Sequence, residues 1–211
     1  QLLNNFKKYN TVPICGFIYH DEVNHCKPVK YSWSGGEEKV SLGDAFKLNA
    51  ELYLTALWNK LFDMQIIEKF YIRFDENLSM GEDLRFSVEY FEKSDTEFVY
   101  AFSAHLYHYT KLSENTLMSD FARGNAEDAV KRLQMIKNVA LKYNKRANEN
   151  YETALKRLKN NYTYFWIRDR RLGICEQYRK IKSFSPEYCV INFCIDKARY
   201  LKEKILTGHN K

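Results

Sequence analysis

Only eight glycines and three prolines punctuate the 211 residues. That is too few for a sandwich or barrel built on many tight turns. Disorder is excluded as well, because 45% of the residues are hydrophobic and sixteen Tyr and fourteen Phe are present. No run of about eighteen apolar residues occurs, so no helix is expected to span a membrane. No secretory signal opens the chain, and Gln1 stands where a start methionine would, so we read it as a piece of a longer protein. The five cysteines (Cys15, Cys26, Cys175, Cys189, Cys194) are odd in number and contain no C-x-x-C pair. Neither a disulfide framework nor a zinc site is expected. Plain buried or partly buried thiols in a reducing cytosol are. There is no G-x-x-x-x-G-K-[ST] phosphate loop, no dinucleotide-binding glycine pattern and no Ser/His/Asp set.

Charge is present, but unevenly. Residues 1–118 hold 12 Lys+Arg and 17 Asp+Glu, a balance of −5; residues 119–211 hold 21 and 10, a balance of +11. The shift near Met118 marks two regions, 1–118 and 119–211, the second drawn to anionic surfaces.

The first region mixes strand and helix signals. "TVPICGFIYH" (11–20) reads as a buried strand, "CKPVKYSW" (26–33) as a weaker one, and Ser34-Gly35-Gly36 as a turn. Helical spacing is found over 41–49 and over 51–63, where Leu54, Leu57, Trp58 and Leu61 share a face. Residues 68–75 read as a strand, 81–93 as a helix with Leu84, Val88 and Phe91 inward, and 97–110 as a long strand with one face in a core. The second region is helical: 125 to about 164 with a stripe of Val130, Leu133, Ile136, Ala140 and Tyr143, then 171–184. A last helix is expected to start at Ser185-Pro186-Glu187 and to end at Gly208. The fold class predicted is α/β, a partial mixed sheet with flanking helices followed by a basic all-helical region.

"SMGEDLRF" (79–86) holds the chemistry. Ser79 with Glu82 three residues on has the form of a capping box, and acids in a first turn suit the helix dipole. Capping has no use for Gly81, which lets a ligand or another chain approach the backbone. Asp83 beside that opening is the candidate proton acceptor.

Taken in order, Trp58-Asn59-Lys60-Leu61, the segment Phe74 to Phe86 with its Glu82-Asp83 pair, and Leu106-Tyr107-His108-Tyr109 with Ser113 resemble the acceptor-side half of bacterial family 2 glycosyltransferases, of GT-A fold. The resemblance covers about residues 1–118. It implies Asp83 as general base, deprotonating an acceptor hydroxyl as it attacks a nucleotide sugar with inversion. Glu82 would orient Asp83 or bond the acceptor. Trp58, Lys60, Gly81 and His108 are substrate-binding candidates. The bland alternatives are a core Trp58, a solvated Lys60 and a strand-end His108 bonding backbone. The family's nucleotide-binding half ends in Asp-x-Asp, which holds a divalent metal (Mg or Mn) as Lewis acid. No Asp-x-Asp occurs here, so the metal is expected only in the intact enzyme and this chain alone is expected to be inactive.

Lys and Arg residues over 129–182, interleaved with Tyr162, Tyr164, Phe165 and Trp166, read first as a solvated helical face. Their functional reading is docking on an anionic membrane surface, the inner face of the cell membrane, in keeping with a glycan or lipid-linked acceptor. Nucleic acid comes second, because no binding signature accompanies the charge. An unpaired sheet edge makes a homodimer a further expectation. The rival to the enzyme is a non-enzymatic basic helical module binding membrane or nucleic acid.

Overall fold

A computed structural model describes residues 1–78, 81–113, 126–169 and 171–208, the last three without their side chains. It is a mixed α/β structure. Four strands, β1 (Val12–Asp21), β2 (Val29–Tyr31), β3 (Glu38–Ser41) and β4 (Phe98–Lys111), form one sheet in the order β2-β1-β4-β3. β1 and β4 run parallel, and β2 and β3 close the two sides antiparallel. Helices α1 (Leu2–Tyr9), α2 (Ala45–Ala50), α3 (Met64–Lys69) and α4 (Glu82–Lys93) flank it. Four longer segments follow: α5 (Ala126–Leu141), α6 (Ala147–Arg168), α7 (Ile174–Phe184) and α8 (Val190–Gly208).

β1 and β4 are buried on both faces at their start, because helices cover both. Val12, Ile14, Val99 and Ala101 enter the main core, while Cys15, Tyr100 and Phe102 meet Leu2 and Tyr9 of α1 on the other side. Hence β4 reads buried at four successive residues, Val99 to Phe102, where alternation with a single core face was expected. Helix α1, for which the sequence reading gives no expectation, ends at Asn10 in the left-handed conformation and stacks Tyr9 on Tyr100 at 3.8 Å. The β1–β4 register slips around Gly16, where a Cβ would lie 2.6 Å from the Tyr31 carbonyl oxygen and 3.1 Å from that of Ser103. Only glycine admits both neighbours.

Two predicted elements are absent. Residues 51–63 are not a helix: the chain turns after α2, with Leu52 at φ 64, and residue 60 forms an antiparallel bridge to Ile14. The Cys15 amide donates to the Asn59 carbonyl at 2.8 Å, and that of Leu61 to Pro13 at 3.4 Å. The edge of β1 needed partners for its buried backbone groups, and that need overrode the helical spacing. Residues 68–75 are not a strand either. Asp63 caps α3 by accepting from the Gln65 amide at 2.8 Å, and Ile66 and Ile67 pack onto the core from that short helix. Two boundaries also move. The 125–164 helix breaks between Leu141 and Ala147, and the last helix starts at Val190, since Ser185 instead receives the α7 C-terminus with its amide bonded to Ile181. Of the five thiols only Cys15 is buried; the other four are exposed.

Packing and composition divide the chain at different places. Ile136, Val139 and Ala140 of α5 and Ala147 of α6 belong to the same buried cluster as Val12, Leu84 and Phe91. A second cluster joins Ala126 and Ala129 to Tyr162, Trp166, Ile167, Ile181 and Phe193. Helix α5 therefore serves both cores. Ile136, 1% exposed, is the largest side chain it buries in the first. Truncation to Ala is expected to lower the stability of the whole chain by about 2–5 kcal/mol. Urea unfolding followed by far-UV dichroism and by tryptophan fluorescence should then shift together, in one transition.

Candidate functional site

Helix α4 starts two residues later than a capping box requires. Gly81 is the N-cap, at φ 87, with no side-chain cap bond, so Glu82 and Asp83 occupy the first two helical positions. Glu82 is thus not the third-position partner of a cap; Ser79 lies outside the described residues. Both acids still face the positive end of the helix dipole. The opening expected over Gly81 is filled. A Cβ there would lie 2.7 Å from Cδ of Arg132, whose half-buried side chain crosses from α5. Burial lowers the Arg132 pKa, and the neighbouring charges of Asp128 and Glu82 act against that shift. Sequence reading placed Arg132 among solvated basic residues. Nothing in its local pattern marks it as the side chain that meets the Glu-Asp turn.

Asp83 is partly buried, and no hydrogen bond or ion pair holds its carboxylate among the described residues. Its pKa is raised, first by burial, then by Glu82, against the opposing pull of Lys60. One turn further along α4, Ser87 is fully buried with its hydroxyl unpartnered among the described residues.

Lys60 is neither solvated nor snorkelling. It is 5% exposed, and its Nζ donates to the Ala56 carbonyl and, at 3.0 Å, to Asn59 Oδ1. Burial brings its pKa down to about 7, with Asp83 and Cys15 opposing the drop. Asn59 is fully buried too, and its Nδ2 finds no acceptor among the described residues. Lys60, Asn59, Asp83 and Ser87 are thus polar groups in or at the edge of an apolar core, three of them with unused hydrogen-bonding capacity among the described residues.

Trp58, two residues before Lys60, joins an aromatic stack. Its ring lies 4.5 Å from Tyr107 at 19°, 5.5 Å from Tyr109, and edge-on to Phe17 at 4.8 Å. Tyr31 and Tyr19 extend the same surface, where Tyr31, Tyr107 and Tyr109 remain exposed. The platform is built from three strands and the 58–61 segment, so helical spacing could not have shown it.

His108 does not join that surface. Alternation along β4 turns it to the opposite face, where its Nδ1 lies 2.8 Å from His20 Nε2 with the rings stacked. His105 meets the Ser32 hydroxyl at 2.9 Å. His20 went unnoticed in the sequence, since only the parallel register of β1 on β4 brings it to His108. Among the described residues, no group of three or more His, Cys, Asp or Glu is placed to hold a metal ion. The metal implied by the resemblance finds no donor set among the described residues.

The buried ammonium sets a pH dependence. The unfolded chain keeps its lysine proton up to about pH 10.4, whereas the folded site releases it near 7. Between those values the unfolded state binds more protons, so stability rises with pH, by up to about 1.4 kcal/mol per unit. Replacing Lys60 by Met should remove this slope. Denaturant titrations from pH 7 to 10 should show the wild type gaining on Lys60→Met; parallel curves would contradict the burial.

No protein-family model matches the chain, and no curated protein is similar to it at a significant level.

Proposed function

We propose that this chain is the acceptor-side part of an inverting glycosyltransferase of GT-A type, with Asp83 as general base. The observation that carries the reading is a carboxylate at a helix start that is partly buried, unpaired among the described residues and raised in pKa. A structural acid is normally hydrogen-bonded or ion-paired; this one is left with its proton-accepting capacity unused. The acceptor's hydroxyl proton passes to Asp83 as its oxygen bonds to the anomeric carbon. The bond from that carbon to the nucleoside diphosphate breaks on the opposite face, and the diphosphate leaves with the electron pair. Lys60 faces Asp83 from the interior and steadies its charged form. The Trp58–Tyr107–Tyr109 surface offers flat apolar faces of the kind sugar rings stack on. Glu82 adjusts the field on Asp83. On this reading the donor is held by residues other than these 211. The acceptor is a glycan or lipid-linked sugar met on the cytoplasmic side.

In the intact protein, Asp83→Asn is expected to lower kcat by about 10²–10⁴ while the melting temperature at neutral pH does not fall. The acid limb of the wild-type kcat/KM profile should lie above the ordinary carboxylate range, because activity is lost as a raised pKa takes up its proton. Release of nucleoside diphosphate from a panel of nucleotide sugars measures both. Full activity in Asp83→Asn would end the assignment; turnover by residues 1–211 alone with added Mg or Mn would overturn the expectation that other residues hold the donor.

A further inference from the structure

Helix α8 is apolar on two sides. Phe193 enters the second core, 5% exposed and edge-on to Tyr178 at 5.5 Å, and Tyr200 packs on the same cluster. The side turned away is apolar as well. Val190, Ile191, Ile195 and Leu201 are exposed by 55%, 71%, 44% and 49%. At about 100° per residue these fall, with Cys194, on one arc of about 140°. Val190 and Cys194 also line an open groove of about 680 Å³ against Ile174 and Tyr178 of α7. Ile174 is itself 63% exposed, so groove and helix face make one continuous apolar surface.

The charges around it carry one sign. Arg179 and Lys182 rim the groove, and Lys202 lies within the arc of α8. Neither Arg179 nor Lys202 has an ion-pair partner among the described residues. Most acids of this region are engaged instead: Glu187 with Lys159, Glu203 with Arg168, and Asp196 with Tyr188 and Arg199, while the exposed Glu176 of α7 does not line the groove. The basic face expected along α6 is reduced toward its end, where Tyr162 and Trp166 are core residues and Lys159 and Arg168 are paired, while Lys156 and Arg157 stay exposed away from the groove.

We infer that the α7–α8 surface docks on an anionic phospholipid bilayer, lying in the headgroup region with Ile191, Ile195 and Leu201 inserted. Exposed branched aliphatics ringed by unpaired cations suit that boundary, where apolar side chains leave water and each nearby cation gains from the surface potential. No described helix is long and apolar enough to cross a membrane, so the helix lies along the surface. A second copy of this chain fits less well, since a symmetric contact would set Arg179 and Lys202 against their own kind. A nucleic acid would meet the cations but would leave the isoleucines unused and find no aromatic ring on this arc to stack upon. The inference stands independently of the role given to Asp83.

Co-sedimentation of the 211-residue chain with vesicles tests it, comparing phosphatidylcholine alone with the same lipid containing one third phosphatidylglycerol. Binding should be at least about tenfold tighter to the anionic vesicles and should weaken with salt. Ile191→Asp with Ile195→Asp should lose at least about tenfold, with dichroism and melting unchanged. Arg179→Gln with Lys202→Gln should lose on the order of fivefold per cation on anionic vesicles only. If the isoleucine variant does not fold, the charge pair decides alone. Equal binding to both vesicle types, or no response to these variants, overturns the inference. So does a concentration-dependent dimer broken by Ile191→Asp, which would give the face to a second copy. Tighter binding to single-stranded RNA than to anionic vesicles, unaffected by the isoleucine variant, would give it to nucleic acid.

Discussion

The α/β part of this chain is organised round one ammonium kept out of water. Lys60 is inside because the main chain of 59–61 is needed outside β1: Cys15 and Pro13 take their edge bonds from Asn59 and Leu61. Once that edge is closed, the lysine between them cannot reach solvent. An isolated buried charge is costly, and this one is only partly compensated, by the Ala56 carbonyl, the Asn59 amide oxygen and the field of Asp83. Lys60 and Asp83 each carry the burden of the other's site. Burial pulls the lysine pKa down and the aspartate pKa up, while their mutual attraction resists both shifts. The desolvation cost wins on each side. Burial therefore moves the two protonation equilibria toward each other, a feature that proton-transfer sites share.

β1, β4 and the α4 helix were legible in the sequence, because β1 and β4 are dense in branched and aromatic residues and Leu84, Val88 and Phe91 repeat at helical spacing; the four-residue β3 was not. What was not legible has a common cause. Trp58 to Leu61 satisfied a helical pattern, yet their place is fixed by what β1 needs across its edge, which no local window contains. The same holds for His20 beside His108 and for Arg132 over Gly81: each pair is separated by about fifty residues or more and met only through register or helix docking. Asp83 could be singled out, since an acid after a glycine at a helix start is a local feature. Its burial and its buried lysine neighbour could not.

Helix α5 ties the two halves together mechanically and electrostatically. Its Ile136, Val139 and Ala140 fill the sheet's core, and its Ala126 and Ala129 fill that of the later helices. Between them Arg132 crosses Gly81, a contact that only a residue without Cβ allows at that distance. The glycine's positive φ and the arginine's path are thus one constraint with two expressions. Any displacement of α5 would move a guanidinium relative to Glu82, and through the helix start would alter the field at Asp83. The basic helical region is therefore part of the acidic site's surroundings rather than an appendage to it.

The last helix shows why charge counted along a sequence misleads. Residues 119–211 carry a balance of +11, but in the fold several of those cations are paired with nearby acids. Exposed cations remain along α5 and α6 as well, but those at α7 and α8 border an apolar groove, where most of the acids are committed to Lys159, Arg168 and Arg199. The same helices expose aliphatic side chains that a water-facing surface has no reason to keep, since each fully buried one would gain about 1.5–3 kcal/mol by leaving water. A helix with one apolar face in a protein core and a second pointing outward is complete only when something low in dielectric covers the second face. On the membrane reading, the cations along its margin set the sign of the headgroups that cover it.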